Sequence, residues 1–284
     1  WDTAYYSFKL QMRRYNLDPE MLRPYFEVKN VIKGVFGLAT RLYGITFREN
    51  KEIPVYHPDV RPYEVYDRDG SYLAVLFVDF YPRKGKRGGA WMTEYQGQWI
   101  EKDGTNVRPH VSLVMNLSKP TDDRPALLRL GEVETFLHEF GHALHEILSD
   151  CQYNTLSGTA TARDFVEMPS QFNESFASIP EIFDHFARHT VTGEPMPAEL
   201  KERMLESINF QTAYSLGENL ASTWVDLAWH KISPDEVPSP YMAGAFEKEQ
   251  LHNAGLLNTQ IPPRYSTSYF NHVWGGGYAA GYYS

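Results

Sequence analysis

The sequence predicts an α+β fold, mainly α, with a small, mostly antiparallel sheet beside a pair of helices. Three observations predict it. Apolar residues recur at helical intervals over residues 1–50, and the period shortens toward two over 51–118. It returns to helical spacing over 119–284. The 284 residues are 42% hydrophobic and 22% charged, so the chain can bury a sizeable core as one large domain or two lobes.

In the first stretch Tyr5-Tyr6, Phe8-Lys9-Leu10, Val31-Ile32 and Phe36 to Tyr43 carry the helical spacing. Val65-Tyr66, Tyr72 to Asp79, Ala90-Trp-Met-Thr93 and Val111 to Met115 then read as strands, separated by Asp69-Gly70 and Gly-rich turns. An exposed strand edge binds extended peptides through main-chain hydrogen bonds. Gly88-Gly89-Ala90 is the candidate, because small residues admit another backbone, and a plain hairpin turn is the alternative. After Thr121 the helical reading is broken by Gly193-Glu-Pro-Met-Pro197 and by Pro234 to Pro240. No repeat or low-complexity tract is evident.

Val133, Phe136, Leu137, Phe140, Leu144, Ile147 and Leu148 mark a helix with one apolar stripe. Its other face carries His138-Glu139-Phe140-Gly141-His142. Histidines four apart stack on one helical face and aim two imidazole nitrogens at one metal ion; Glu139, beside that ion, can take a proton from water there. Ten His and 36 acidic residues in 284 make such a pentamer a chance event about 0.04 times per chain. Gly141 costs about 1 kcal/mol inside a helix, which points to close packing by another backbone. Glu132 and Glu134 complement the dipole in the first turn.

A catalytic zinc takes three protein ligands and keeps a position open. Leu144 and Leu148 stand where a metzincin would need Gly and His, which excludes that class. His145 is too close along the helix to complete the site and reads as a histidine that lines the cleft or supports the ligands from behind. The remaining donors lie in a second helix-like stretch, Ala162-Arg-Asp-Phe-Val-Glu-Met-Pro-Ser-Gln-Phe-Asn-Glu174. Packed antiparallel to the first helix, it can bring Glu167 or Glu174 opposite the histidines. Pro169 obscures where this helix begins, and spacing alone leaves the choice open.

These motifs resemble the family of thimet oligopeptidase and bacterial peptidyl-dipeptidase (dipeptidyl carboxypeptidase). The resemblance runs from Trp1-Asp-Thr-Ala-Tyr-Tyr through Asp79-Phe-Tyr-Pro-Arg-Lys-Gly-Lys-Arg-Gly-Gly-Ala90 and Asp164-Phe-Val-Glu-Met-Pro-Ser-Gln171 to Phe270-Asn-His-Val-Trp-Gly-Gly-Gly-Tyr278-Ala-Ala-Gly-Tyr-Tyr283. It implies a zincin-like (gluzincin) catalytic region over 1–284, and one zinc (Zn2+) per chain on His138, His142 and Glu167. Glu139 is then the general base and Glu174 a supporting residue. The resemblance further implies flanking N- and C-terminal parts, including a tyrosine just after Ser284.

The C-terminal run has its own chemical logic. His272, Tyr278, Tyr282 and Tyr283 surround Gly275-Gly-Gly277, where donors on a mobile loop can stabilise an oxyanion. The resemblance implies that His272 and Tyr278 are catalytic, and Tyr282 and Tyr283 with Gly89 and Ala90 are expected to bind substrate. The implied reaction is zinc-dependent hydrolysis of short peptides, with removal of C-terminal dipeptides ahead of endo-cleavage. A non-enzymatic zinc or peptide-binding module is the rival reading; Glu139 speaks against it, because a structural site needs no base.

A net charge of −9 argues against nucleic acid or anionic membrane as partner. Arg83-Lys-Gly-Lys-Arg87 is the densest basic run and reads as a solvated loop. The single cysteine, Cys151, fits a reducing, cytoplasmic compartment, although a signal peptide could precede Trp1. No stretch has the length of a membrane span.

Overall fold

The computed structural model describes residues 2–284; Trp1, which heads the first motif, lies outside them. The described chain forms two compact units, residues 2–162 with Val166–Ile208, and Arg163–Phe165 with Asn209–Ser284.

The first unit opens with α1 (Asp2–Tyr15) and α2 (Val28–Tyr43). β1 (Thr46–Glu49), β2 (Arg61–Tyr66), β3 (Tyr72–Asp79), β4 (Trp91–Gln96), the short β5 (Trp99–Ile100) and β6 (Asn106–Val107), and β7 (His110–Val114) follow. Then come α3 (Leu130–Ile147), α4 (Arg163–Val166, shared between the units), α5 (Met168–Glu174), α6 (Pro180–Phe186) and α7 (Ala198–Ser207). The second unit holds α8 (Thr212–Lys231), α9 (Ala243–Asn253) and α10 (Asn271–Trp274). The protein is therefore α+β and mainly helical.

The main sheet runs β1-β2-β3-β7-β4. Three of its pairings are antiparallel and β3 with β7 is parallel, so the expected sheet is mixed. β1 lies inside the stretch read as helical. Gly44, at φ 83°, ends α2 in the left-handed region, and Phe47 on β1 stacks on Phe36 of α2 at 4.1 Å, packing that helical periodicity does not encode.

One core fills the first unit. Val31, Val35 and Phe36 of α2, Leu76 of β3, Leu113 of β7 and Val133, Phe136 and Phe140 of α3 are all buried in it. The apolar stripe of α3 is as read from the sequence except at Leu148, which caps the helix and is exposed. Glu132 secures the helix start, its Oε2 accepting the Arg129 N–H at 2.7 Å.

Arg83-Lys-Gly-Lys-Arg87 is not simply a solvated loop. Asp79, buried at the end of β3, takes two hydrogen bonds from Arg83 (2.7 and 2.8 Å) and one from Lys86 Nζ (3.0 Å). Lys86 also donates to the carbonyls of Asp79, Tyr81 and Met115. Burial alone would raise the Asp79 pKa, but these cations hold it below the carboxylate range. The basic run is thus folded back on a buried acid, and it leads the chain into β4.

Candidate active site

The Gly141 expectation explains how the site is built. A Cβ on Gly141 would meet Ser170 Cα at 2.6 Å and the Pro169 carbonyl oxygen at 2.8 Å, so α3 and α5 touch backbone to backbone there. Asn173 Nδ2 donates to the Leu137 carbonyl at 2.5 Å and fixes the same contact. The second helix-like stretch is broken: α4 stops at Val166 and α5 starts at Met168, with Pro169 in its first turn. Glu167 stands at the break and faces α3.

His138 Nε2 and His142 Nε2 each lie 3.2 Å from Glu167 Oε2. These three residues could hold a metal ion; one ligand atom from each lies within 4.8 Å of the others. The donor set suits zinc. Ligand bonds of about 2.0–2.1 Å in a tetrahedron give edges of about 3.3–3.4 Å, close to the observed separations. His138 Nδ1 is 2.6 Å from Glu174 Oε1, which orients the ring and leaves Nε2 facing the other donors. Ser170 Oγ donates to Glu167 Oε2 at 3.0 Å and to the Glu167 carbonyl at 2.8 Å. Burial opposes charge on His138, yet the Glu167 and Glu174 carboxylates push its pKa up to about 10.

Glu139 is buried, and burial raises its pKa; the adjacent histidines and the Met92 amide of β4 pull it down. β4 is therefore the edge strand that borders α3. Gly89, in a bend, and Ala90 precede it and are not part of the strand. Gly89 has φ 96°, and Asn116 Nδ2 ties the carbonyls of Arg87 and Gly89 at 2.8 Å each. His145 is outside the donor cluster. It lines a cavity of about 660 Å³ with Leu144, Cys151, Met168 and Phe172, and burial lowers its pKa.

His272, Tyr278, Tyr282 and Tyr283 all belong to the second unit, whose small core contains Val225, Leu251, Phe270 and Val273. His272 rests edge-on against Tyr265 at 4.9 Å, and Arg163 lies 5.1 Å from the centre of the Tyr278 ring. Asp226 of α8, fully buried, accepts the N–H groups of Ala280 (2.9 Å) and Tyr282 (3.0 Å) and lies 2.9 Å from His230 Nδ1. This anchor of the tyrosine loop leaves no local signal in the sequence, because Asp226 sits in the middle of α8, more than fifty residues before the two N–H groups it accepts. The Asp79 cluster does carry a signal in the sequence, a basic run that begins four residues after an acid.

The whole chain, residues 1–284, matches the model of Peptidase family M3. The chain belongs to this family of metallopeptidases. It is 45% identical to a dipeptidyl carboxypeptidase of Salmonella typhimurium and 43% identical to one of Escherichia coli, over all of this chain and 41% of each relative. Oligopeptidase A of Escherichia coli is 39% identical over all of this chain and 42% of its own length. The chain thus spans about two-fifths of the length of these relatives. No helix among the described residues is long and apolar enough to cross a membrane.

Proposed function

We propose that the full-length protein hydrolyses short peptides through zinc held by His138, His142 and Glu167, and that it releases dipeptides from the C-terminus. The single observation that carries this reading is the convergence of two Nε2 atoms on one Glu167 oxygen, with Glu139 alongside. Zinc in such a site supplies a Lewis acid that polarises the scissile carbonyl and makes water acidic near neutral pH. Glu139 takes the proton of the attacking water and passes it to the leaving amine. Glu174 holds the His138 ring in one tautomer, and Ser170 steadies the Glu167 carboxylate.

In this reading His272 and Tyr278 donate to the oxyanion, and Gly89, Ala90, Tyr282 and Tyr283 bind substrate; the motif resemblance supports these roles. It also supports a zincin-like (gluzincin) identity for the fold. The names and higher identity of the two dipeptidyl carboxypeptidases favour dipeptide release; oligopeptidase A supports endo-cleavage as the second reading.

Two measurements test the proposal. Glu139→Gln should keep about one zinc per chain while kcat falls at least about 10²-fold, whereas His138→Ala and His142→Ala should lose the metal. Loss of zinc in Glu139→Gln would make that residue structural. Digestion of an N-blocked hexapeptide should release dipeptides stepwise, and mass spectrometry showing mainly longer fragments would select the endo-acting reading.

A further inference from the structure

β4 (Trp91–Gln96) is an end strand of the main sheet, and it pairs with β7 on one side. Among the described residues its backbone makes no other backbone–backbone hydrogen bond. Met92 turns its N–H away from β7 to Glu139, so by the period of two Glu94 also presents its N–H and C=O to the free edge. Met92 and Glu94 register with Leu113 and Val111, both buried in the core beside α3. Their side chains therefore lie on the α3 face of the sheet, the face that carries the metal cluster.

Glu94 is exposed, and among the described residues its carboxylate forms no ion pair. It acts on the buried Glu146 of α3, so no cation stands between the two acids. Arg108, which also bears on Glu146, donates instead to the carbonyls of Leu73, Ile147 and Ser149 and to the Asn106 side chain. Beyond Glu94 the open edge stops. The register with β7 shifts between Glu94 and Gln96, and Gly97 is buried against Asn154.

We propose that Glu94 selects substrates with a basic side chain on the amino side of the scissile bond, in the residue that pairs opposite it on β4. An extended peptide adds to a free edge by main-chain hydrogen bonds, and antiparallel pairing is the more stable. Directly opposed residues set their side chains on one face with Cβ atoms about 5 Å apart, so Lys or Arg reaches the carboxylate. The shape of the strand gives the direction. β4 offers one residue before Met92 and four after it, and a peptide cut two residues from its C-terminus has its longer arm on the amino side of the bond. Antiparallel addition lays that arm along residues 93–96, with the residue opposite Glu94 about 7 Å from the one opposite Met92. The inference rests on the zinc peptidase reading, and its direction on C-terminal dipeptide release.

The test uses the full-length protein and N-blocked hexapeptides of one parent sequence. Lys, Gln or Glu is placed in turn at each residue but the first, and mass spectrometry locates the cut. At one position on the amino side, the unsubstituted enzyme should favour Lys over Glu by about 10-fold in kcat/KM, with Gln between. Attraction and repulsion for an exposed pair are each worth about 3-fold. Added salt should shrink the ratio. Glu94→Gln should level it and Glu94→Lys should reverse it, an outcome that a merely misfolded variant cannot give. A Lys preference unchanged in Glu94→Lys, equal rates for the three peptides at every position, or a preference only on the carboxyl side of the cut overturns the assignment. Cuts elsewhere than two residues from the C-terminus remove dipeptide release, while the charge ratios still judge Glu94. No cleavage of any peptide removes the peptidase reading and this inference with it.

Discussion

Glu146 lies one turn beyond His142 on α3 and is fully buried beside the loop that follows the helix. A Cβ on Gly158 would fall 1.5 Å from its Oε2, and the Ser157 hydroxyl reaches Oε1 at 3.5 Å. Burial, reinforced by Glu94, outweighs the pull of nearby amides and pushes the carboxyl from 4.5 up to about 7. The folded state therefore holds this proton more tightly than the unfolded chain does. Below pH 4.5 the acid is neutral in both states and contributes no pH dependence; as pH rises toward 7 the folded state loses stability, and above 7 the loss is constant. Glu146→Gln removes that loss, so it should gain up to about 3 kcal/mol on the unsubstituted protein between pH 5 and pH 8. Urea unfolding at the two pH values measures the difference, and an equal gap at both would show that Glu146 is not the titrating group.

At the scale of elements, the α3–α5 contact matters most, because it carries Glu167 to the histidines. Gly141→Ala would improve helix propensity by about 1 kcal/mol. The added Cβ nevertheless meets backbone, Ser170 Cα at 2.6 Å, and no side-chain rotation can relieve it. Overpacking of this kind costs about 1–3 kcal/mol. Ser170 also holds the Glu167 carboxylate, so moving α5 should weaken metal binding as well as stability. The expected result is a lower Tm together with a zinc affinity reduced at least about 10-fold. Native affinity in a folded Gly141→Ala variant would mean that the close approach does not position Glu167.

At the scale of the molecule, the three residues proposed to hold zinc all belong to the first unit. A ligand that binds only the folded state stabilises it by about 2.7 kcal/mol when present at 100 times its dissociation constant. For a unit of about 200 residues this corresponds to roughly 5–10 °C in Tm. Chelation should therefore lower the unfolding transition of the first unit by that amount, and zinc should restore it in calorimetry. A scan unchanged by chelator and by added zinc would sink the ligand assignment.

Local periodicity and spacing determined the class of fold and most of the candidate metal site. The α3 stripe, the His138/His142 pair and Glu139 are read within one helix, where sequence distance and spatial distance are the same thing. Gly141 likewise announced a backbone neighbour, though not which one. Between Glu167 and Glu174 spacing could not choose, because Pro169 breaks the helix. Tertiary packing set Glu167 between the two Nε2 atoms and Glu174 behind His138. The sheet's parallel β3–β7 pairing, the burial of Lys86 on Asp79, the neutral tendency of Glu146 and the Asp226 anchor were decided only in three dimensions. Each depends on which distant segment covers a polar group, and burial by a distant segment leaves no period in the sequence.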